Sequence, residues 1–300
     1  MSTAAANTDV PHASAEPGIL ADLLDLTKAR LNFLVLITTF VGYWMGAPGA
    51  IEWMRLLQVM LGTALCAASA AAFNQIWEVK VDALMPRTAS RPVAAGRMSS
   101  GAAAWIAAAL GAAGTAWLAL AVNWLSAALA ASTIVIYLLL YTPLKRRTAW
   151  CTLVGAVSGA IPPLVGWAAA NPRLSLGAWV LFGVLFTWQM PHFLAIAWMY
   201  RDQYRGAGLV MLKRDDQTGL PTAITSLVFT FLLTAVTLVP FNAGLSGSIF
   251  LGGALIINSV FFLAALHFCA DRSRPVARRL FFASILYLPL ILGLMVLTKE

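Results

Sequence analysis

Three oxygen-bearing side chains recur at intervals of four in the stretch FNQIWEVKVDALMPRTASRPVAAGRM: Asn74, Glu78 and Asp82. On a helix that spacing places them on one stripe, successive turns apart. Hard oxygen donors on a rigid stripe suit Mg²⁺, which takes one or two carboxylates and completes its octahedron with water and phosphate oxygens. Arg87, Arg91 and Arg97 follow, and guanidinium groups hold diphosphate through paired, charge-assisted hydrogen bonds. Acids for a divalent cation beside arginines for its anion describe a diphosphate–Mg²⁺ site. Asn74, Glu78, Asp82, Arg87 and Arg91 would carry its chemistry, with Glu78 and Asp82 as metal ligands. The same residues also read as a solvated helix end followed by arginines that only set membrane topology.

A second polar stretch, WMYRDQYRGAGLVMLKRDDQTG, brings Arg201, Asp202 and Arg205 together. Asp202 is a candidate third metal carboxylate, and Arg201 and Asp202 are candidate substrate contacts. Asp215 and Asp216, beside Lys213 and Arg214, read more simply as a solvated turn before Gly219. Lys145 and Arg146 in YTPLKRRT are further candidates for an anionic substrate, or topology signals. His192 follows Pro191 inside an apolar run. An ionisable group there is expensive and by default suggests function, although a plain hydrogen-bonded helix histidine is an equal reading. His267, at the end of another run, is explained by its interface position. Cys66, Cys151 and Cys269 are too far apart for a disulfide framework or zinc spacing and read as small buried hydrophobes.

The elements that must position these residues are set by composition. The chain is 60% apolar and 11% charged, against about 45–50% and 25% for a soluble domain, so its solvent is lipid. The net charge of +8 does not indicate a nucleic-acid partner, because the basic residues sit in short breaks between apolar runs. A membrane-crossing helix takes about 20 apolar residues. Nine runs qualify: 31–47, 53–73, 101–120, 124–141, 150–170, 176–198, 221–239, 248–268 and 280–298. They are continuous rather than alternating at period two, which indicates helices and not barrel strands. The narrowest break is at 121–123, which reads as a tight hairpin or as span ends set a few residues off.

With the N-terminus inside, 17 of the 20 basic residues fall on the cytoplasmic side, as the positive-inside rule requires. That places the C-terminus outside and the two mixed-charge loops, 74–100 and 199–220, on the cytoplasmic face. The expected architecture is all-α: a polytopic bundle of about nine helices around a central cavity open to the cytoplasm. Residues 1–25 are expected to be a flexible cytoplasmic tail and 26–300 a single transmembrane domain.

FNQIWEVKVDALMPRTASRPVAAG resembles the N-x-x-x-D-x-x-x-D … R-T-x-x-R-P motif of the UbiA-type intramembrane prenyltransferases. Three further stretches resemble the haem-prenylating branch of that family: LTKARLNFLVLITTFVGYWMG, YTPLKRRTAWCTLVGAVSGAIPPLVGWAA and TWQMPHFLAIAWMYRDQYRGAGLVML. The resemblance runs collinearly from about residue 26 to 215. The chain departs from the pattern at Glu78, where the family has Asp, at Gln203, where it has the acid preceding Tyr, and at Lys213, where it has Pro. The resemblance implies transfer of a farnesyl group from farnesyl diphosphate to a vinyl group of haem B, with Mg²⁺ as cofactor, in a bacterial-type inner membrane. It also implies a haem contact for His192 and leaves Lys145 and Arg146 to either diphosphate or the haem propionates. Whether a downstream haem-modifying oxidase is a partner stays open. The rival acceptors are aromatic quinone precursors. A secondary transporter is a remote alternative, because the spans show no convincing internal repeat and the acids lie in loops.

Overall fold

A computed structural model describes residues 18–213, 216–243 and 245–299. Most of the expected tail, with His12, and also Arg214 and Asp215, lie outside the described residues. Among those described there is helix and no strand. A short helix, α1 (Ile19–Leu26), precedes α2 (Ala29–Gly46) and α3 (Trp53–Trp77). One turn, α4 (Val79–Asp82), continues from α3. The chain then forms α5 (Ser100–Val122), α6 (Trp124–Leu144), α7 (Cys151–Ala170) and α8 (Leu176–Met199). After another short helix, α9 (Arg201–Gly206), come α10 (Leu220–Asn242), α11 (Ser248–Ala270) and α12 (Arg274–Leu297).

Eight of these, α3, α5 to α8 and α10 to α12, are long and apolar enough to cross a membrane. The other expected span is α2, whose 18 residues include Arg30 and Asn32 and which is not among the eight. It nevertheless runs the length of the bundle. Lys28 before it touches Asn74 at the end of α3, and Lys299 after α12 donates to the carbonyls of Trp44 and Ala47 at its far end.

Helices with no hydrophobic drive between them need close backbone approach, which small residues permit. Gly42 of α2 lies against the Pro163 carbonyl of α7, where an added Cβ would sit 2.0 Å from that oxygen. Gly166 of α7 approaches the Thr39 carbonyl in the same way, at 1.9 Å. The hairpin between α5 and α6 is capped by Asn123, which accepts from Ser126 N–H and donates to the Ala168 carbonyl of α7. Pro162 and Pro163 interrupt α7, since proline removes a helical donor and clashes with the preceding turn.

Residues 19–25, expected to belong to the flexible tail, are helical in α1. Leu26 is fully buried, Arg97 binds Asp22, and Gln75 Nε2 donates to the Asp25 carbonyl. The segment is too short to cross a membrane and precedes the first long apolar run, so nothing local ties it to the bundle. Long-range partners about 50 and 75 residues away hold it.

Candidate active site

α3 delivers the first polar residues. Its final turns carry Asn74 and Gln75, both buried, and the helix yields at Trp77 to α4 with Glu78 at the junction. The i→i−4 hydrogen bonds from Glu78 N to Asn74 O and from Asp82 N to Glu78 O persist across the junction. The predicted stripe therefore survives the break. Thr88 donates its hydroxyl to the Asp82 carbonyl at 2.9 Å, tying the following loop back onto α4.

The three oxygen-bearing residues sit among cations. Lys28 Nζ donates to Asn74 Oδ1 at 2.7 Å, and Asn74 Nδ2 donates to Glu78 Oε2 at 2.8 Å. Lys145 Nζ reaches both oxygens of Glu78, at 2.9 and 3.2 Å. Arg91 Nη1 binds Asp82 Oδ2 at 2.7 Å. Tyr137 donates to Asn74 Oδ1 at 3.4 Å, and the Lys145 ammonium lies 4.4 Å from the centre of the Tyr141 ring. Glu78, Asp82 and Lys145 are buried.

The protonation preferences of the cluster follow from this packing. Burial opposes the Glu78 charge, but the Lys145 charge and hydrogen bond, helped by Lys28 and Asn74, outweigh it and hold the carboxyl below its usual range. For Asp82 burial prevails over Arg91 and raises its affinity for a proton. Burial also lowers Lys28. In Lys145 the pull of burial is overcome by Tyr141 and Glu78, so the ammonium is held charged. Lys28, Arg91 and Lys145 outnumber Glu78 and Asp82, leaving the cluster with spare positive charge for an anion.

The remaining candidates lie elsewhere. Arg87 donates to the Tyr204 hydroxyl at 3.1 Å and lies over the rings of Tyr200 and Tyr204, joining the first loop to α9. Arg201 stacks on Trp198, 4.3 Å from its ring centre, and Arg146 is exposed. Asp202 is also exposed and pairs with Arg274 of α12, so the structure does not group it with Glu78 and Asp82. Adjacent helical residues differ by about 100°. Tyr200 and Tyr204 turn one face of α9 toward Arg87, and Asp202, two residues after Tyr200, falls on the other. His192 lies apart on α8, against Ser284 of α12. Among the described residues no three of His, Cys, Asp and Glu form a metal-holding group. Two cavities, of about 300 and 430 Å³, open along the 208–213 segment, and neither is lined by Glu78 or Asp82.

Lys28, Tyr137 and Tyr141 belong to the cluster but were not singled out from sequence. In the sequence Lys28 is one of the basic residues on the cytoplasmic side of the first apolar run. It separates α1 from α2 at φ 48°, ψ 49°, a left-handed conformation costly for a residue with a Cβ, which its sequence neighbours do not announce.

The sequence pattern of the UbiA prenyltransferase family matches residues 35–286. The chain belongs to the UbiA prenyltransferase family. Among UbiA relatives, a protein named protoheme IX farnesyltransferase from Solibacter usitatus is 43% identical, covering 93% of this chain and 99% of its own. One of the same name from Myxococcus xanthus is 40% identical, covering 92% and 94%. Solved UbiA structures share the fold. Digeranylgeranylglyceryl phosphate synthase superposes with a TM-score of 0.79 at 15% identity, covering 93% of this chain and 98% of that one. A UbiA homologue from Archaeoglobus fulgidus bound to GPP and Mg²⁺ superposes with a TM-score of 0.65 at 15% identity, covering 91% and 99%.

Proposed function

We propose that this chain transfers the farnesyl group of farnesyl diphosphate to a vinyl group of haem B, with addition of water, giving haem O. The observation that carries the reading is the stripe Asn74, Glu78 and Asp82 enclosed by Lys28, Arg91 and Lys145. The full-length similarity to proteins named protoheme IX farnesyltransferase supports haem as the acceptor.

The donor set fits Mg²⁺. Asn74, Glu78 and Asp82 contribute hard oxygens; Asp82 Oδ1 accepts no hydrogen bond within the described residues, and the other oxygens would be freed as Lys28, Lys145 and Arg91 turn to the anion. Bound there, Mg²⁺ would neutralise charge developing on the departing diphosphate. The protein's own cations do the rest. Lys145 and Arg91 exchange carboxylate oxygens for phosphate oxygens when the substrate enters. Their charge then favours ionisation of the allylic C–O bond, because it acts most strongly on the leaving group as it becomes anionic. The terminal vinyl carbon forms the new C–C bond to the farnesyl cation, and water captures the resulting cation at the vinyl carbon next to the ring, leaving a hydroxyl and releasing a proton. Apolar helices shield the first cation from premature hydrolysis.

On this reading the cluster faces the cytoplasm of a bacterial-type inner membrane, α2 is the ninth span, and the C-terminus lies outside. Arg146 and Arg201 stand at the substrate entrance, and His192 contacts haem. The product suits a haem-modifying oxidase in the same membrane. Incubating purified protein with haem B, farnesyl diphosphate and Mg²⁺, then weighing the extracted haem, tests the proposal. The expected product is haem B plus one farnesyl group and one hydroxyl. Prenylation of 4-hydroxybenzoate with none of haem would replace the acceptor and overturn the reading.

A further inference from the structure

His192 and Ser284 face one another across α8 and α12, with His192 Nδ1 2.7 Å from Ser284 Oγ. A serine hydroxyl has one proton to donate. Ser284 spends it on the Phe281 carbonyl at 2.6 Å, and that oxygen can only accept. Toward His192, then, Oγ is the acceptor and Nδ1 carries the hydrogen. A neutral imidazole protonated at Nδ1 has its lone pair at Nε2. Nε2 has no partner among the described residues, and His192 is only half-buried.

The ring is also held against rotation. Trp188 stacks on it at 4.9 Å between ring centres, and Phe281 lies at 5.1 Å on α12. Trp188 Nε1 donates to the Ser284 backbone carbonyl at 2.7 Å, so the two helices are joined twice at this residue. A fixed tautomer, a fixed plane and a free lone pair inside a membrane span are what a metal-ligating histidine requires, the hydrogen bond at the other nitrogen setting its orientation.

We infer that Ser284 is a positioning residue that locks His192 as the Nδ1–H tautomer and so presents Nε2 as a ligand to the haem iron. This rests on the reading of haem as the acceptor. His192 lies seven residues before the end of α8, about 10 Å deeper than that end. A ligand there would hold a flat acceptor in the apolar part of the bundle, while the diphosphate stays with the cations near its edge.

The chain has three histidines, so ¹⁵N-histidine NMR of the haem-free protein in detergent gives few signals. His192 is assigned by its loss in His192→Gln. The expected spectrum has Nδ1 in the protonated region and Nε2 in the unprotonated region. Ser284→Ala should move both toward the Nε2–H form favoured by free histidine, and Ser284→Thr should restore the wild-type pattern. Should the alanine variant unfold, Ser284→Cys, of similar size and a poor acceptor, replaces it. Titration with haem B should show an imidazole-ligated spectrum that His192→Ala removes, and Ser284→Ala should weaken haem binding by about tenfold. An unprotonated Nδ1 in the wild type, or a Ser284→Ala variant identical to it in both measurements, overturns the inference alone. A haem spectrum indifferent to His192→Ala overturns the haem contact and the inference together.

Discussion

Glu78 and Asp202 are both carboxylates paired with a base from a distant helix, at the same end of the bundle, yet they occupy opposite environments. The Glu78 carboxylate is buried beneath Lys145 and Asn74, with Lys28 close by. The side chain of Asp202 is 66% exposed, and that of its partner Arg274 is 53% exposed. An exposed pair of this kind contributes about 0–1 kcal/mol. A buried pair depends on both partners, since removing one strands a charge in low dielectric at a cost of about 3–5 kcal/mol. Ion pairing therefore does not distinguish a site from a surface. Depth and a surplus of like-signed partners do.

Substitutions in the two regions should separate widely. The largest effect is expected for Asp82→Asn, which removes a metal carboxylate while keeping the size of the side chain. Turnover should fall by about 10²-fold or more, out of proportion to any loss of stability, because the Arg91 side chain is 21% exposed and can turn to water when its partner is removed. Near-normal turnover would remove α4 from the site. Lys145→Met should come next, with stability falling by about 3–5 kcal/mol together with activity. Adding Glu78→Gln should restore most of the stability and none of the activity, which can be followed by thermal unfolding in detergent and the haem assay. No recovery in the double variant would mean that Lys145 is held by something other than Glu78.

A third test uses pH. Glu78 is depressed in the folded protein relative to an ordinary carboxyl near 4.3, so its stabilising contribution is present above that value and lost as pH falls through the lower folded one. Thermal unfolding of the wild type should thus worsen more steeply than that of Glu78→Gln on acidification below about pH 4. Parallel curves would contradict the environment assigned to Glu78. The smallest effect is expected for Asp202→Asn, with stability within about 0.5 kcal/mol of wild type and turnover within about twofold. A loss comparable to that of Asp82→Asn would show that α9 turns its other face to the substrate, and the contrast would collapse.

The sequence alone determined the membrane-embedded all-α class, most of the helix boundaries and the first oxygen stripe. Each depends on local regularity, namely runs of apolar residues matched to bilayer thickness, and side chains four apart on a helix. The break at 121–123 was the least defined boundary in the sequence, and the structure resolves it as a hairpin in which Asn123 caps α6 and donates to the Ala168 carbonyl of α7. What only the tertiary structure decided was partnership. Arg87, Arg91 and Arg97 look equivalent along the chain, but one binds Tyr204, one Asp82 and one Asp22, because three different elements pack against their loop. Lys28 enters the site although 46 residues separate it from Asn74, and α1 is ordered by contacts equally remote. Asp202, adjacent to the position where the family keeps its acid, faces Arg274 because one residue of helical phase turns it away. Local periodicity is written in a sequence, whereas the direction a charge takes depends on which neighbour the fold places within 3 Å of it.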